Sequence, residues 1–356
     1  MKIDTKELQT RLARLSGVVS AGAMMPVLAT VHINGNRIRA TNLDQEAVVT
    51  VEGSGEPVNL CVPFRRLLAV VRSIESPSVT LTQSKGAGTR LYVEGGASKF
   101  TLLGMPEDEF PAANDVSGTP VRMPAESVLM GLESVFRSAS EDASRPALQS
   151  VFMAISGRSC AFVATDGRRL SKWGDIDKPE RTTILPYAAA RTLRDILGEY
   201  GDVEIVADER AVRFTLTGND GTCVFRSKLV EGQYPSCRQV IPTTECKAFT
   251  CAREPLRNAI RRVNIIGEKE DAVQLCFGEE SISLSKKHLD GDGFDVVALT
   301  EGSGDSECIS SNPRYLLDAL DSIREESVTI RYRSDTDPLE FVGGENYHLV
   351  MPVRVT

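Results

Sequence analysis

VPFRRLLAVVRSIESPSVTLT (residues 62–82), LPYAAARTLRDILGEYGDVEIV (185–206) and NPRYLLDALDSIREESVTIRY (312–332) read alike. Each has a proline in second place, a residue favoured in the first turn of a helix because the N–H it lacks would be unpaired there anyway. Two to three amphipathic turns follow, then a short acidic, polar or glycine-bearing break, then a strand. Pro63, Pro186 and Pro313 recur 123 and 127 residues apart. Phe110-Pro111 and Tyr234-Pro235 keep the same phase, 124 residues apart. A leading amphipathic helix is expected in each unit, over residues 6–19, 124–137 and 255–266. Three markers at one period predict a threefold repeat of helix, strands, helix, strands in about 120 residues per unit.

The remaining strands alternate in polarity and break at turn signals, as in HINGNRIRATN and VRFTLTGNDGTCVFRSKL. Such strands form antiparallel sheets with helices on one face, so the expected class is α+β with three repeated domains. Boundaries are expected in polar stretches, giving domains 1–118, 119–244 and 245–356.

Composition narrows the function. The 356 residues are 41% hydrophobic and 25% charged, as in an ordinary soluble globular protein. No apolar run approaches a membrane span, and the N-terminus does not read as a secretory signal. The eight cysteines form no C-x-x-C pair and most sit in apolar stretches, so all are read as small buried thiols in a reducing cytosol. His32, His288 and His348 are too scattered for a metal site, and no cofactor is expected. A net charge of −8 excludes a generally basic surface, so any nucleic-acid contact needs a segregated basic face.

Helical spacing suggests such a face. On the first helix Leu8, Leu12 and Leu15 share one stripe, while Lys6, Arg11 and Arg14 fall opposite. After Pro63, Arg65 and Arg72 share the outer face. The third unit offers Arg257 and Arg261, and the middle unit Arg137 and Arg191. Asp318 and Asp321 on the last helix break the pattern. Contacts of this kind to phosphate are independent of sequence. Few aromatics and no recognition-helix or zinc-finger pattern argue against single-strand stacking and base readout.

FVATDGRRLSKW (162–173), KLVEGQYPSCRQVIP (228–242), SNPRYLLDAL (311–320), LVMPVRV (349–355) and LSGVVSAGAMMPVLATV (15–31) together resemble the bacterial DNA polymerase III beta subunit, the sliding clamp. The resemblance covers essentially the whole chain. It implies a non-catalytic homodimeric ring around double-stranded DNA, joined head to tail, with helices lining the pore and sheets outside. It also implies a hydrophobic cleft between the second and third domains that captures peptides of the replicative polymerase and the clamp loader. By position that cleft would use Leu148, Thr165, Gly167, Arg168, Arg169, Leu170, Pro235, Val240, Asn312, Tyr315, Leu349, Met351, Pro352, Val353 and Arg354. The implied dimer contacts are Lys99, Phe100 and Leu102 on one side, and on the other Ile265, Ile266 and an acidic stretch with Asp290, Asp292 and Asp295. Three positions depart from the family pattern: Arg168 replaces its usual histidine, Gln239 stands where arginine is common, and Gly22-Ala23-Met24 replaces a basic loop tip.

A loader is implied because no G-x-x-x-x-G-K-[ST] loop occurs in this chain to drive ring opening. An enzyme reading would have to use Asp166, Glu107, Asp108, Glu109 or the thiols, and no histidine motif or convergent site supports it. A peptide-binding scaffold that never meets DNA is the remaining alternative.

Overall fold

The computed structural model describes residues 1–20, 25–84, 89–112, 115–198, 200–218, 221–268, 271–303 and 307–354. Gly22, Ala23 and Met24 and the turn residues Asn219 and Asp220 lie outside these. Among the described residues there are six α-helices: α1 Thr5–Arg14, α2 Phe64–Ser73, α3 Ala125–Val135, α4 Tyr187–Leu197, α5 Arg253–Val263 and α6 Pro313–Ser322. They fall two per repeat, as the proline period predicts.

Their ends differ from the sequence expectation for local reasons. α1 is capped by the Asp4 side chain, which accepts from the Glu7 N–H. It stops several residues before position 19. The chain leaves the helix in turns closed by Ser16 N–H to the Ala13 carbonyl and Val18 N–H to the Leu15 carbonyl, and Gly17 packs closely on Thr192, where a Cβ would lie 3.0 Å from its side chain. Pro313 sits in the first turn behind the Asn312 cap, but Pro63 and Pro186 end strands one position before α2 and α4. α5 begins at Arg253, leaving Pro255 in its first turn, where backbone donors have no helical acceptor. The residues following α3 tighten into a 3₁₀ turn, Phe136–Ser138.

Two compact units emerge, residues 1–129 with 188–229 and residues 130–187 with 230–356. In the first, a four-stranded sheet runs Lys2–Asp4, Ser78–Gln83, Arg90–Gly95, Ser98–Leu103. An eight-stranded sheet of the same unit runs Asn59–Pro63, Thr30–Asn34, Arg37–Thr41, Gln45–Thr50, Gly221–Lys228, Ala211–Gly218, Asp202–Ala207, Val121–Pro124. The second unit holds one twelve-stranded sheet: Arg181–Pro186, Ser150–Ser156, Ser159–Thr165, Arg169–Trp173, Asn346–Val350, Leu339–Gly343, Ser327–Tyr332, Lys247–Ala252, Gly291–Ser303, Ser281–His288, Val273–Phe277, Glu307–Ser311. Every one of these pairings is antiparallel.

The order exposes the repeat. Each repeat builds two four-stranded runs. One joins the strand before its second helix to the three strands between its helices. The other joins the strand before its first helix to the three strands that follow its second. This pattern appears three times without exception. Repeats are then joined edge to edge in one way: the last strand of the second run pairs with the last strand of another repeat's first run. Gly221–Lys228 pairs so with Gln45–Thr50, placing Cys223 opposite Val49 and Ser227 opposite Gln45. Asn346–Val350 pairs so with Arg169–Trp173, placing Leu349 opposite Leu170.

The helices are held by cores of the kind their stripes predict. In the third repeat Leu256 and Ile260 of α5 and Leu316 and Leu320 of α6 pack on Phe249, Phe277 and Tyr332. The three rings lie 4.7–5.7 Å apart between centroids. Cys61, Cys160, Cys223 and Cys251 are buried as expected, but Cys276 and Cys308 are joined in a disulfide, which corrects the reading of all eight as free thiols. Antiparallel register sets these two side by side, and spacing along the chain could not reveal it.

Candidate functional site

The hairpin around residue 166 is fixed by its own turn. Gly167 takes φ +89°, a conformation that favours glycine. The Asp166 Oδ1 accepts from the Arg168 and Arg169 N–H groups at 2.8 and 3.0 Å, and the Thr165 hydroxyl donates to the Arg169 carbonyl at 2.6 Å. Arg169 is then held on every side. Its Nε donates to Asp166 at 3.1 Å and its Nη1 to Asp318 at 2.5 Å, while its Nη2 donates to the Arg137 carbonyl. The Tyr315 ring covers it at 4.4 Å. Arg169 is largely buried, so this expected cleft cation also serves as a brace between the hairpin and α6.

The C-terminal strand zips onto the same hairpin. The Met351 N–H donates to the Arg168 carbonyl at 3.0 Å. Beyond it the tail turns to a third partner: the Val353 N–H donates to the Ser310 carbonyl at 2.8 Å and Pro352 bridges to Ser311. Below the hairpin lies an internal polar chain. Ser138 Oγ, Ser171 Oγ and His348 Nδ1 are linked at 2.6 and 2.7 Å, and Ser134 donates to Asn346 at 2.5 Å.

Two concavities flank this hairpin. One, of about 350 Å³, has an apolar floor of Phe152, Ala154, Ala161, Val163 and Leu170, walled by Ile176, Tyr234, Pro235 and Ile241. The Lys172–Asp175 pair, 3.0 Å apart, and Arg238 supply its polar rim. The other, of about 490 Å³, is polar and lined by Gly167, Arg168, Arg169, Tyr315, Arg314, Arg145, Glu141 and Asp142. Of the fifteen expected cleft residues, Leu170 and Pro235 reach the first and Gly167, Arg168, Arg169 and Tyr315 the second. Leu148, Thr165, Val240, Asn312, Leu349, Met351, Pro352, Val353 and Arg354 line neither. Val240, Met351 and Val353 expose apolar surface nearby in the same unit. Leu349 is a correction: it is buried opposite Leu170, so it supports the surface from beneath. Asn312 caps α6 through the Arg314 N–H. The floor strands carry apolar residues on both faces, which hid Phe152, Ala154, Ala161 and Val163 from a reading by alternation.

His348 is fully enclosed, and that burial, with Arg169 close by, lowers its pKa from 6.5 to about 3. The unfolded chain therefore takes up a proton below pH 6.5 that the folded chain refuses until about pH 3. Stability from this group is complete above 6.5 and falls as the pH drops, by about 1.4 kcal/mol per unit. Between pH 7 and 5 the wild type is expected to lose about 2 kcal/mol more than His348→Phe in denaturant titrations. Equal losses would show that His348 titrates normally in the fold.

The expected DNA-facing residues separate into three groups. Lys6, Arg65, Arg72 and Arg191 are exposed, and so is Arg66, which the spacing argument passed over. Arg137, Arg257 and Arg261 converge on Asp321: Arg257 hydrogen-bonds it directly, and Arg137 and Arg261 stand 4.0 and 3.8 Å away. The Asp321 hydrogen bond holds the Arg257 pKa above its ordinary value, and Glu254 adds to this. Arg11 and Arg14 are corrections, only 2% and 9% exposed. Arg14 donates to the Tyr200 hydroxyl at 2.5 Å and lies over that ring. The face of α1 opposite its leucines meets the second repeat rather than solvent. Burial there pushes the Tyr200 hydroxyl up to about 12.

The expected dimer residues are also sorted. Lys99 is exposed beside Glu94 and Ile265 is exposed, but Leu102 is buried opposite Leu91, and its neighbour Leu103 carries the exposed apolar side chain. Asp295 is held by Arg262 at 2.6 Å, which keeps its carboxyl below the usual range. Phe294 and Val296, alternating with these acids, are exposed and were not anticipated.

Comparison with known proteins identifies the assembly of repeats. The N-terminal, central and C-terminal domain models of the DNA polymerase III beta subunit match residues 1–114, 123–236 and 238–354. The beta sliding clamps of Pseudomonas aeruginosa and Rickettsia felis are 28% and 27% identical to the chain, each aligned over 99% of both sequences. Among solved structures, a sliding clamp from Pseudomonas aeruginosa bound to griselimycin superposes with a TM-score of 0.91 at 25% identity, covering 100% of this chain and 99% of that one. The sliding clamp of Bacillus subtilis shares the fold at a TM-score of 0.90 and 21% identity, covering 100% and 99%. The chain belongs to the DNA polymerase III beta subunit family, the bacterial sliding clamps. That family is a processivity factor for DNA replication rather than a catalyst. Among the described residues no helix is long and apolar enough to cross a membrane.

Proposed function

We propose that two copies of this chain join head to tail into a cytoplasmic ring that encircles double-stranded DNA, opened by a separate clamp loader. The observation that carries the reading is the pair of strands left over by the joining rule. Ser98–Leu103 of the first repeat and the first half of Gly291–Ser303 of the third stand where every other such strand has found a partner. Each is of the type that the other accepts. Leu103 at 65% exposure and Phe294 at 71% leave apolar surface on both, and Lys99 faces outward on one as Asp292 does on the other. Pairing them across copies covers edges that otherwise invite aggregation and closes three repeats per chain into a six-repeat ring.

Domain limits at 118/119 and 244/245 suit this arrangement. Lys6, Arg65, Arg66, Arg72 and Arg191 supply a basic lining weak enough to slide, helped by Arg137, Arg257 and Arg261 where Asp321 leaves them charge to spare. The hairpin 165–170, Pro235, Val240, Leu148, Tyr315 and the tail Met351–Arg354 form the cleft that takes peptides of the replicative polymerase and other partners. Apolar anchors with a few polar fixers are the chemistry of peptide capture, and Arg168 at the rim selects for acidic neighbours. Tethering raises the polymerase's effective concentration at the primer end. The test is retention on a loaded nicked circle, which topology alone should control.

A further inference from the structure

Cys276 and Cys308 face each other across the ladder between Val273–Phe277 and Glu307–Ser311, and their sulfurs are bonded. Cys308 is exposed and Cys276 half-exposed. Among the remaining thiols, Cys61, Cys160, Cys223 and Cys251 are buried, and that burial pushes them up to about 11 or 12. Half-buried Cys237 is likewise pushed up to about 11. Thiolate is the reacting form, so these thiols are poor nucleophiles near neutral pH. At positions 276 and 308 two cysteines meet each other and solvent together, whereas half-buried Cys246 is a free thiol.

Its position gives it a consequence. Glu307–Ser311 is the last strand of its sheet, bonded on one side to Val273–Phe277. Its other side seats the C-terminal tail, through the Val353 N–H on the Ser310 carbonyl and the bridge from Ser311 to Pro352. Asn312, next in the chain, caps α6. One short strand thus carries a covalent fastening on one edge and the tail on the other.

We infer that Cys276 and Cys308 are a reversible redox modification site whose disulfide fastens strand Glu307–Ser311 and with it the seat of the tail. Closure proceeds by exchange with a low-molecular-weight disulfide. A thiolate of the pair attacks it, displacing one small thiol and forming a mixed disulfide. The second thiolate then displaces the other small thiol. The pair gives up two electrons and two protons, and the small disulfide gains them as two thiols. Opening is the reverse, driven by excess small thiol. Any effect on peptide capture rests on the cleft proposed above, whereas the redox chemistry does not.

The experiment equilibrates the full chain with mixtures of reduced and oxidised glutathione and counts thiols by alkylation and intact mass. Hydrogen exchange is followed over residues 307–311 and 351–354. Oxidised mixtures should show two fewer alkylatable thiols, and neither Cys276→Ser nor Cys308→Ser should show that loss. Closure should slow exchange of the Val353 amide roughly tenfold. Changed protection with unchanged peptide affinity supports the redox site and counts against the cleft. A pair that stays closed in millimolar reduced glutathione, never closes in oxidised glutathione, or leaves Val353 exchange unaltered overturns the inference.

Discussion

Arg169→Ala is expected to destabilise the second compact unit by about 3–5 kcal/mol, the cost of breaking a buried ion pair by removing one partner. The guanidinium satisfies Asp166 and Asp318 and the carbonyl of Arg137 at once, under the Tyr315 ring. Its removal leaves two carboxylates in a partly enclosed site without the one cation hydrogen-bonded to both. Arg169→Lys should recover less than half the loss, because a single ammonium cannot match a planar fork that reaches three acceptors. Urea titrations of the two variants measure this directly. A loss below about 1 kcal/mol would place the network among solvent-screened surface pairs. The same substitution should weaken peptide capture, since the turn holding Gly167 and Arg168 is built on Asp166.

Phe294→Asp is expected to leave the proposed dimer as a monomer of 38.7 kDa without loss of fold. Phe294 is 71% exposed in the single chain, so nothing in the chain's own core depends on it. In the proposed ring it sits at the centre of the strand-to-strand seam, where an aromatic anchor is commonly worth 2 kcal/mol or more and a buried carboxylate is penalised further. The dissociation constant should therefore rise at least about a hundredfold. Leu103→Asp on the facing edge should behave alike. Sedimentation at graded concentration gives the answer, and a variant that stays dimeric would place the seam elsewhere on the molecule.

The fold was legible because proline, helix and strand recur at one spacing, and the three strand orders bear that out. What spacing could not convey was coverage. On α1 the leucine stripe is the core face, yet Arg11 and Arg14 are buried too, because in a chain of joined repeats a helix can be covered on two sides. A one-face rule necessarily assigns such residues to solvent. Leu349 lies beneath the surface and Arg169 both lines the polar concavity and braces it, because residues that shape a cleft are often spent on holding its walls. Phe294 and Val296 stand among Asp290, Asp292 and Asp295, which read as a charge pattern, while the alternation of Phe294 and Val296 about Asp295 marks one face of an edge strand. The disulfide depends on register between strands 32 residues apart, which no local pattern encodes. The basic faces survive in part, concentrated on α2 and reduced on α5, where Asp321 is shared among three arginines.

Enclosure of DNA is a topological property, and one measurement tests it directly. The protein is loaded onto a nicked circular duplex, and its dissociation is followed before and after the circle is cut at a single site, in salt high enough to screen phosphate contacts. A closed ring predicts a long lifetime on the circle that collapses on cutting, and no retention on either form for Phe294→Asp. A lifetime unchanged by cutting, in the same salt, would contradict the account, because retention would then come from contact with DNA rather than from enclosure.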